Sequence, residues 1–312
     1  KYVNFLTLKS CREYFFNVCR DRKYTVHVIP GNHDVYFKNT NEVSSLKVLL
    51  GEYFHPTAES FNEGEDGYII PYFKPTTLRF GKTSILLTPW ISVDNSTEVL
   101  SAIDKTKAKV CIGHFAIAGF EMYKGMGAEE GLDMEMFKKF DLVLSGHFHH
   151  RSTALNIHYL GSPYEMTWSD YDDPKGFHIL DTATLELTFV ENPDKMHSMI
   201  LWDDREKQNY DPKKYAGKEV KVVVINKEDF YSFDKFIDRL YENNPLDLKV
   251  IEDFRETGTT LDETVDVEDT FTLLSKYVDG NDTITVDKER LKNVLKMLYT
   301  EAQQSEDEED ND

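Results

Sequence analysis

Apolar positions follow three rhythms along this chain. Leu8, Cys11, Phe15, Val18 and Cys19 recur at helical spacing, which predicts an amphipathic helix over residues 6–22. Residues 25–29 form a short β-rich run stopped by Pro30-Gly31. Residues 42–51 read as helix, and "TTLRFGKTSILLTPW" reads as a hairpin turning at Gly81-Lys82. One pattern then occurs twice. A helix over 97–105 feeds a strand over 109–113 that ends in Gly-His, and a helix over 133–140 feeds a strand over 141–145 that ends likewise. Helix then strand, with polar residues at the strand's C-terminal end, predicts an α/β layered fold. Further strands are expected at "IHYLG", "GFHILD" and "LELTFVE".

The rhythm changes near residue 195. "HSMILWDDREKQNYDPKKYAGK" is polar and reads as a linker. "EVKVVVI" reads as a strand, Phe230, Phe233, Ile237 and Leu240 mark a helix face opened by Asn226, and "LDLKVIEDF" alternates as a second strand. Such a strand–helix–strand unit is too small for a large core of its own. Residues 255–268 are acidic and threonine-rich, a second linker. A helix pair over 269–279 and 287–302 closes the chain around the turn Gly280-Asn281-Asp282. Leu291, Val294, Leu295 and Leu298 give its last helix a narrow apolar stripe, suited either to a partner protein or to folding back onto the small unit.

Composition narrows the class. At 312 residues and 40% hydrophobic content, the chain can build one large domain with smaller ones attached. No apolar stretch approaches the ~20 residues that span a bilayer, and the start does not read as a signal peptide. A net charge of −20 argues against a diffuse nucleic-acid-binding face and leaves room only for local contacts. Part of the excess sits in "SEDEEDND" at 305–312, which is expected to be a disordered, solvated tail. Cys11, Cys19 and Cys111 have no paired spacing and read as packing thiols in a reducing cytosol.

Three segments carry candidate chemistry: "PGNHD" at 30–34, "CIGHF" at 111–115 and "LSGHFHH" at 144–150. Each follows an expected strand and sets His or Asn just past a small residue, where glycine would permit a tight positive-φ turn. Singly, each has an ordinary explanation as a loop histidine or as Asn/Asp turn chemistry. Three such ends in one α/β domain form a constellation. Imidazole and amide groups are suitable ligands for Mn²⁺, Fe²⁺ or Zn²⁺ when carboxylates complete the shell. "RDRKY" at 20–24 and "HHR" at 149–151 are candidate phosphate contacts, Arg151 the stronger because it directly follows the histidine pair. His27, His55, His158, His178 and His197 lack this context and read as surface or packing residues.

The motif order Gly-Asn-His-Asp, Gly-His, Gly-His-x-His resembles the calcineurin-like metallophosphoesterases. More narrowly, the chain is similar to the SbcD-type nuclease subunits of double-strand-break repair, in particular the recombination endonuclease subunits of T-even-like tailed phages. "VIPGNHDVYFKN", "GFEMYKGM", "SGHFH", "YLGSPYEMT" and "DDPKGFHILD" carry the likeness. It implies an α/β two-sheet sandwich with flanking helices over 1–194, a small α+β capping domain over 195–260, and a helical segment over 261–304 ahead of the acidic tail. It also implies two divalent cations, most commonly Mn²⁺. Asn32, His114 and His147 would bind one, His149 the other; His33 would be the catalytic histidine with Asp34 orienting it. The implied partners are DNA, an SMC-like ATPase held by about 269–304, and a second copy in a homodimer; the implied location is the cytoplasm.

The family's first two motifs, Asp-x-His and Gly-Asp-x-x-Asp, are not found in residues 1–25. The expectation is therefore an N-terminally truncated nuclease, inactive by itself. Two other readings stay open: a metallophosphatase or small-molecule phosphodiesterase of the same fold, and a non-catalytic scaffold for the ATPase.

Overall fold

The structure, a computed structural model, describes residues 3–54, 69–123, 126–128, 130–206 and 210–252, with scattered positions between 275 and 295. The chain divides into two compact units, Leu8–Phe254 and Lys1–Thr7 with Arg255–Asp312. In the second unit, residues 275, 277–280, 288, 291, 292 and 295 are helical, and Val278 is buried. Most of the segment expected over 261–304, the tail at 305–312 and His55 lie outside the described residues. Among the described residues no helix is long and apolar enough to cross a membrane.

The first helical stretch joins α1 (Phe5–Cys11) through a π-helical turn at Arg12–Phe16 to α2 (Asn17–Asp21). A π turn inserts an extra residue and rotates whatever face a 3.6-residue period projects. The expected stripe is therefore corrected. Phe16 and Cys19 are buried, while Cys11 is exposed and Phe15 and Val18 keep 49% and 38% of their surface. Phe16 packs with Leu46 and Leu50 of α3 (Ser45–Leu50) and with Ile69.

Strand β1 (Val26–Val28) pairs in parallel with β2 (Ile69–Pro71). The hairpin turning at Gly81 is β3 (Thr76–Phe80) with β4 (Thr83–Leu87). After α4 (Ser96–Lys105) come β5 (Val110–Gly113), a small antiparallel pair β6 (Glu121–Tyr123) and β7 (Met126–Gly127), then β8 (Leu142–Ser145), β9 (Ser152–Ala154) and β10 (Ile157–Tyr159). The main sheet runs β3-β4-β5-β8-β10-β9, with β4, β5, β8 and β10 parallel. Neighbours Leu86, Cys111 and Val143 share one face with Val99 and Ile103 of α4, Phe115 and Phe137. Ile85, Leu87, Val110, Leu142 and Leu144 line the other with Ile70. Burial on both faces explains the unbroken apolar runs in these strands. The fold is mixed α/β, as the pattern predicts.

Three further features depart from expectation. The helix over 133–140 is a single 3-10 turn, Met134–Phe137. The Asn156 amide donates to the carbonyls of Phe137 (2.9 Å) and Phe140 (2.7 Å), taking acceptors that a longer helix would use internally. The segment read as a linker contains β13 (His197–Asp203). The sheet strands before it are β11 (Gly176–Leu180) and β12 (Leu187–Glu191), an antiparallel pair. Flanking charges hid the strand, yet Ile200 and Trp202 are buried. They join Val220, Val222 and Val224 of β14 (Glu219–Asn226) and Phe233, Phe236 and Leu240 of α5 (Phe230–Glu242) in one cluster. With β15 (Asp247–Glu252) these strands form a parallel sheet, β13-β14-β15. The cap of α5 is Asp229, whose carboxylate accepts the Ser232 N–H (3.0 Å), and not Asn226.

Candidate metal centre

Parallel register brings the site together. Gly113, last in β5, lies opposite Ser145, last in β8, so His114 and His147 leave the sheet side by side. The Gly146 N–H donates to the Gly113 carbonyl (3.1 Å), tying the two exits. The Tyr159 hydroxyl, from neighbouring β10, donates to the Phe115 carbonyl (2.8 Å) and accepts the Ile117 N–H (2.9 Å), fixing the chain beyond His114. The loop after β1 reaches across: the Trp90 N–H donates to the Pro30 carbonyl (2.9 Å).

Asn32 Oδ1 stands at the focus. It accepts from His114 Nε2 at 2.8 Å and from His147 Nδ1 at 3.3 Å. The two imidazole centroids are 5.1 Å apart, and the Trp90 indole lies 5.8 Å from one and 5.3 Å from the other. Burial, reinforced by the charges of His147, His33 and His149, pushes His114 down to about 3. Burial with the charges of His33 and His149 pushes His147 down to about 4. Both rings are therefore neutral at neutral pH, the state in which imidazole binds a cation. His33 and His149 are thus within electrostatic reach of both rings.

Glycine serves here through space. Gly31, Gly113 and Gly146 are absent from the positive-φ residues, so the turn expected of them is corrected. A Cβ on Gly31 would come within 2.9 Å of the His114 ring, and one on Gly146 within 2.9 Å of its Nδ1. The imidazole lies between two bare backbones. The left-handed residue is His147 itself, at φ 87°, a strained backbone of the kind found where geometry is dictated by function.

The donor set fits a divalent cation. Adjacent ligands on an octahedral ion with bonds of ~2.1 Å stand ~3 Å apart, and the separations of 2.8 and 3.3 Å around Asn32 Oδ1 straddle that value. Two imidazoles and an amide suit a borderline metal. The three carry no carboxylate, and among the described residues no three His, Cys, Asp or Glu side chains gather tightly enough to hold an ion.

Of the remaining expected residues, His33 and Asp34 share the loop of Asn32, and His149 and Arg151 follow His147 in the chain. His33 is exposed. Asp34 accepts the Gly31 N–H (2.8 Å) and the Ser45 hydroxyl (3.1 Å), one on each carboxylate oxygen, and so holds the turn that presents Asn32 and His33. The His149 Nδ1–H donates to Asp170 (3.3 Å). Arg151 is exposed, with its guanidinium 4.0 Å over the Phe189 ring. Sequence reasoning missed Trp90, Asp170, Asp173 and Lys175. The buried Lys175 ammonium donates to Asp170 and Asp173, each at 2.8 Å, and Asp173 accepts from His150 (3.0 Å). Asp173 and Lys175 lie in the "DDPKG" stretch, which has no spacing that announces a site, and Trp90 and Asp170 lie outside it.

Comparison with known proteins gives a consistent picture. The calcineurin-like phosphoesterase family pattern matches residues 6–151. The chain is 31% identical over 307 residues to exonuclease subunit 1 of Enterobacteria phage T4, covering 97% of this chain and 84% of that protein. Shorter likenesses join it to the SbcD component of the SbcCD nuclease. That of Staphylococcus epidermidis is 35% identical over 103 residues, 30% of this chain and 28% of the relative. That of Staphylococcus saprophyticus is 30% identical over 93 residues, 28% of this chain and 25% of the relative.

Proposed function

The chain belongs to the calcineurin-like phosphoesterases, and from that membership we propose that it is a metal-dependent DNA endo/exonuclease subunit of a recombination and repair complex. The observation that carries the proposal is the convergence of Asn32 Oδ1 on the ring nitrogens of His114 and His147. The names of the relatives, an exonuclease subunit and nuclease subunits, support DNA as the substrate in preference to a phosphoprotein or small phosphodiester.

Asn32, His114 and His147 hold one cation and His149 a second. Two divalent ions, Mn²⁺ in this reading, supply Lewis-acid charge at the scissile phosphate when bound. His33, exposed at the mouth, gives a proton to the departing 3′ oxygen. Asp34 fixes the loop that presents His33. Arg151 contacts a neighbouring phosphate from its perch on Phe189. Because the three convergent donors are uncharged, carboxylates from outside this set complete the shell. An SMC-like ATPase binds through about 269–304. A homodimer buries the helical face on which Tyr14, Phe15 and Val18 keep 78%, 49% and 38% of their surface. The complex works in the cytoplasm.

The test compares residues 1–312 with a chain extended upstream by the Asp-x-His and Gly-Asp-x-x-Asp motifs, on linear duplex DNA with Mn²⁺. The extended chain cleaves, and His33→Gln slows it by about 10²–10⁴-fold with unchanged cation affinity. Turnover of phosphoproteins or nucleotides without action on DNA would overturn the substrate; cleavage indifferent to His33→Gln would overturn the mechanism.

A further inference from the structure

Lys175 is 2% exposed, yet it lies in no apolar core cluster; its ammonium is spent wholly on its neighbours. It donates to the His149 carbonyl, to Asp170 Oδ1 and to Asp173 Oδ2, each at 2.8 Å. Asp170, 1% exposed, uses its other oxygen to accept the N–H groups of Met166 and Thr167, both at 3.0 Å, and His149 Nδ1–H at 3.3 Å. A carboxylate on Nδ1–H fixes the tautomer whose lone pair is on Nε2, the arrangement that orients ligating histidines. The ammonium in turn pins both the carboxylate and the backbone of the same histidine.

The stretch carrying these groups is also the seat of the smaller β13–β14 unit. Glu165, 3% exposed, accepts the N–H groups of Met196 (2.7 Å) and His197 (2.9 Å) with one carboxylate oxygen. Trp168 stacks on the His197 ring at 4.6 Å and 21°, and the Lys221 ammonium lies 4.0 Å over the indole. Trp168 and Asp170 belong to one 3-10 turn, Trp168–Asp170, closed by a reciprocal cap with Thr167. A displacement of so short a turn carries the indole and the carboxylate together.

Resting on the reading of His149 as a cation ligand, we propose that Lys175 is the positioning residue for that imidazole and that its hold, through Asp170, depends on the seating of β13 and β14 against Glu165 and Trp168. The smaller unit thereby sets the pose of one ligand while leaving Asn32, His114 and His147 untouched. A partner that shifts this unit would change the affinity for one cation of the pair.

The experiment uses the full chain with ¹⁵N-labelled histidine imidazoles. His149→Gln assigns the His149 signals. Two variants are compared with the parent: Lys175→Met, and His197→Ala/Lys221→Met, whose changes lie wholly in the smaller unit. The parent shows His149 with its proton on Nδ1. Both variants shift or broaden that signal and leave those of His114 and His147 in place, and Mn²⁺ titration shows one class of site weakened about tenfold. An unchanged His149 signal in either variant would overturn the proposal. Absence of any Mn²⁺ binding by the parent would instead remove the ligand role of His149, while the imidazole spectra would still decide whether the smaller unit holds it.

Discussion

Asn32 and His114 are 82 residues apart in the chain, and the amide oxygen of one is 2.8 Å from the Nε2 of the other. The approach needs two strand ends at one level and two backbones without side chains. Gly31 and Gly146 supply the second condition, since a Cβ on either would come within 2.9 Å of the ring.

Gly146→Ala therefore has an expected outcome. The added methyl forces the His114 ring away from Asn32, costs about 1–3 kcal/mol in chemical denaturation, and lowers Mn²⁺ affinity. A variant that keeps both the parent's stability and its affinity would show that the ring has room the structure denies it.

His147 separates stability from binding. Its left-handed backbone at φ 87° is strained by ~1 kcal/mol or more, and glycine relieves that strain. His147→Gly is expected to melt close to the parent, because the relief offsets the lost ring contacts with Trp90 and Phe148. Its cation affinity is expected to fall at least tenfold. Calorimetric melting paired with Mn²⁺ titration checks both; unchanged affinity contradicts the role given to His147.

Lys175→Met leaves Asp170 and Asp173 as buried carboxylates without their cation. Breaking a buried pair from one side costs ~3–5 kcal/mol. Urea unfolding that changes by less than 1 kcal/mol would mean that water reaches these carboxylates.

The smaller unit has an acid-labile cap. Asp204 accepts the N–H groups of Asp229 (2.7 Å) and Glu228 (2.6 Å) and the amide of Asn226 (2.6 Å), ahead of α5. The Asp229 N–H foremost, with those other donors, holds the carboxyl below the usual carboxylate range. A depressed folded-state value means that this stabilisation is present above the unfolded value of about 4 and is lost as pH falls through the folded value. Amide protection in α5, taken relative to the intrinsic exchange rate at each pH, should therefore fall in acid, and Asp204→Asn should flatten that dependence. An identical pH profile in the variant would remove Asp204 from the account.

The sequence made the three strand-end motifs legible because their spacing repeats a strand–turn–ligand grammar, and parallel register then brings His114 beside His147. It could not show why the glycines are there. Their reason is a ring contributed by a distant segment at Gly31, and a neighbouring strand's exit at Gly146. Trp90 and Lys175 were hidden for the same cause: each acts alone, through tertiary contacts, with no periodicity to betray it. β13 was missed because Asp203, Asp204 and Arg205 crowd its end and mask the buried Ile200 and Trp202. The π turn at Arg12–Phe16 defeated the helical wheel by shifting its face.

The central claim is that His114 and His147 bind one divalent cation together with Asn32. Substoichiometric Mn²⁺ added to the chain with ¹⁵N-labelled imidazoles tests it most directly, because the ion broadens nuclei within a few ångströms first. The account predicts that the His114 and His147 signals vanish before any others. Both imidazole signals intact after a full equivalent of Mn²⁺, or other histidines broadened while these two stay sharp, would contradict it.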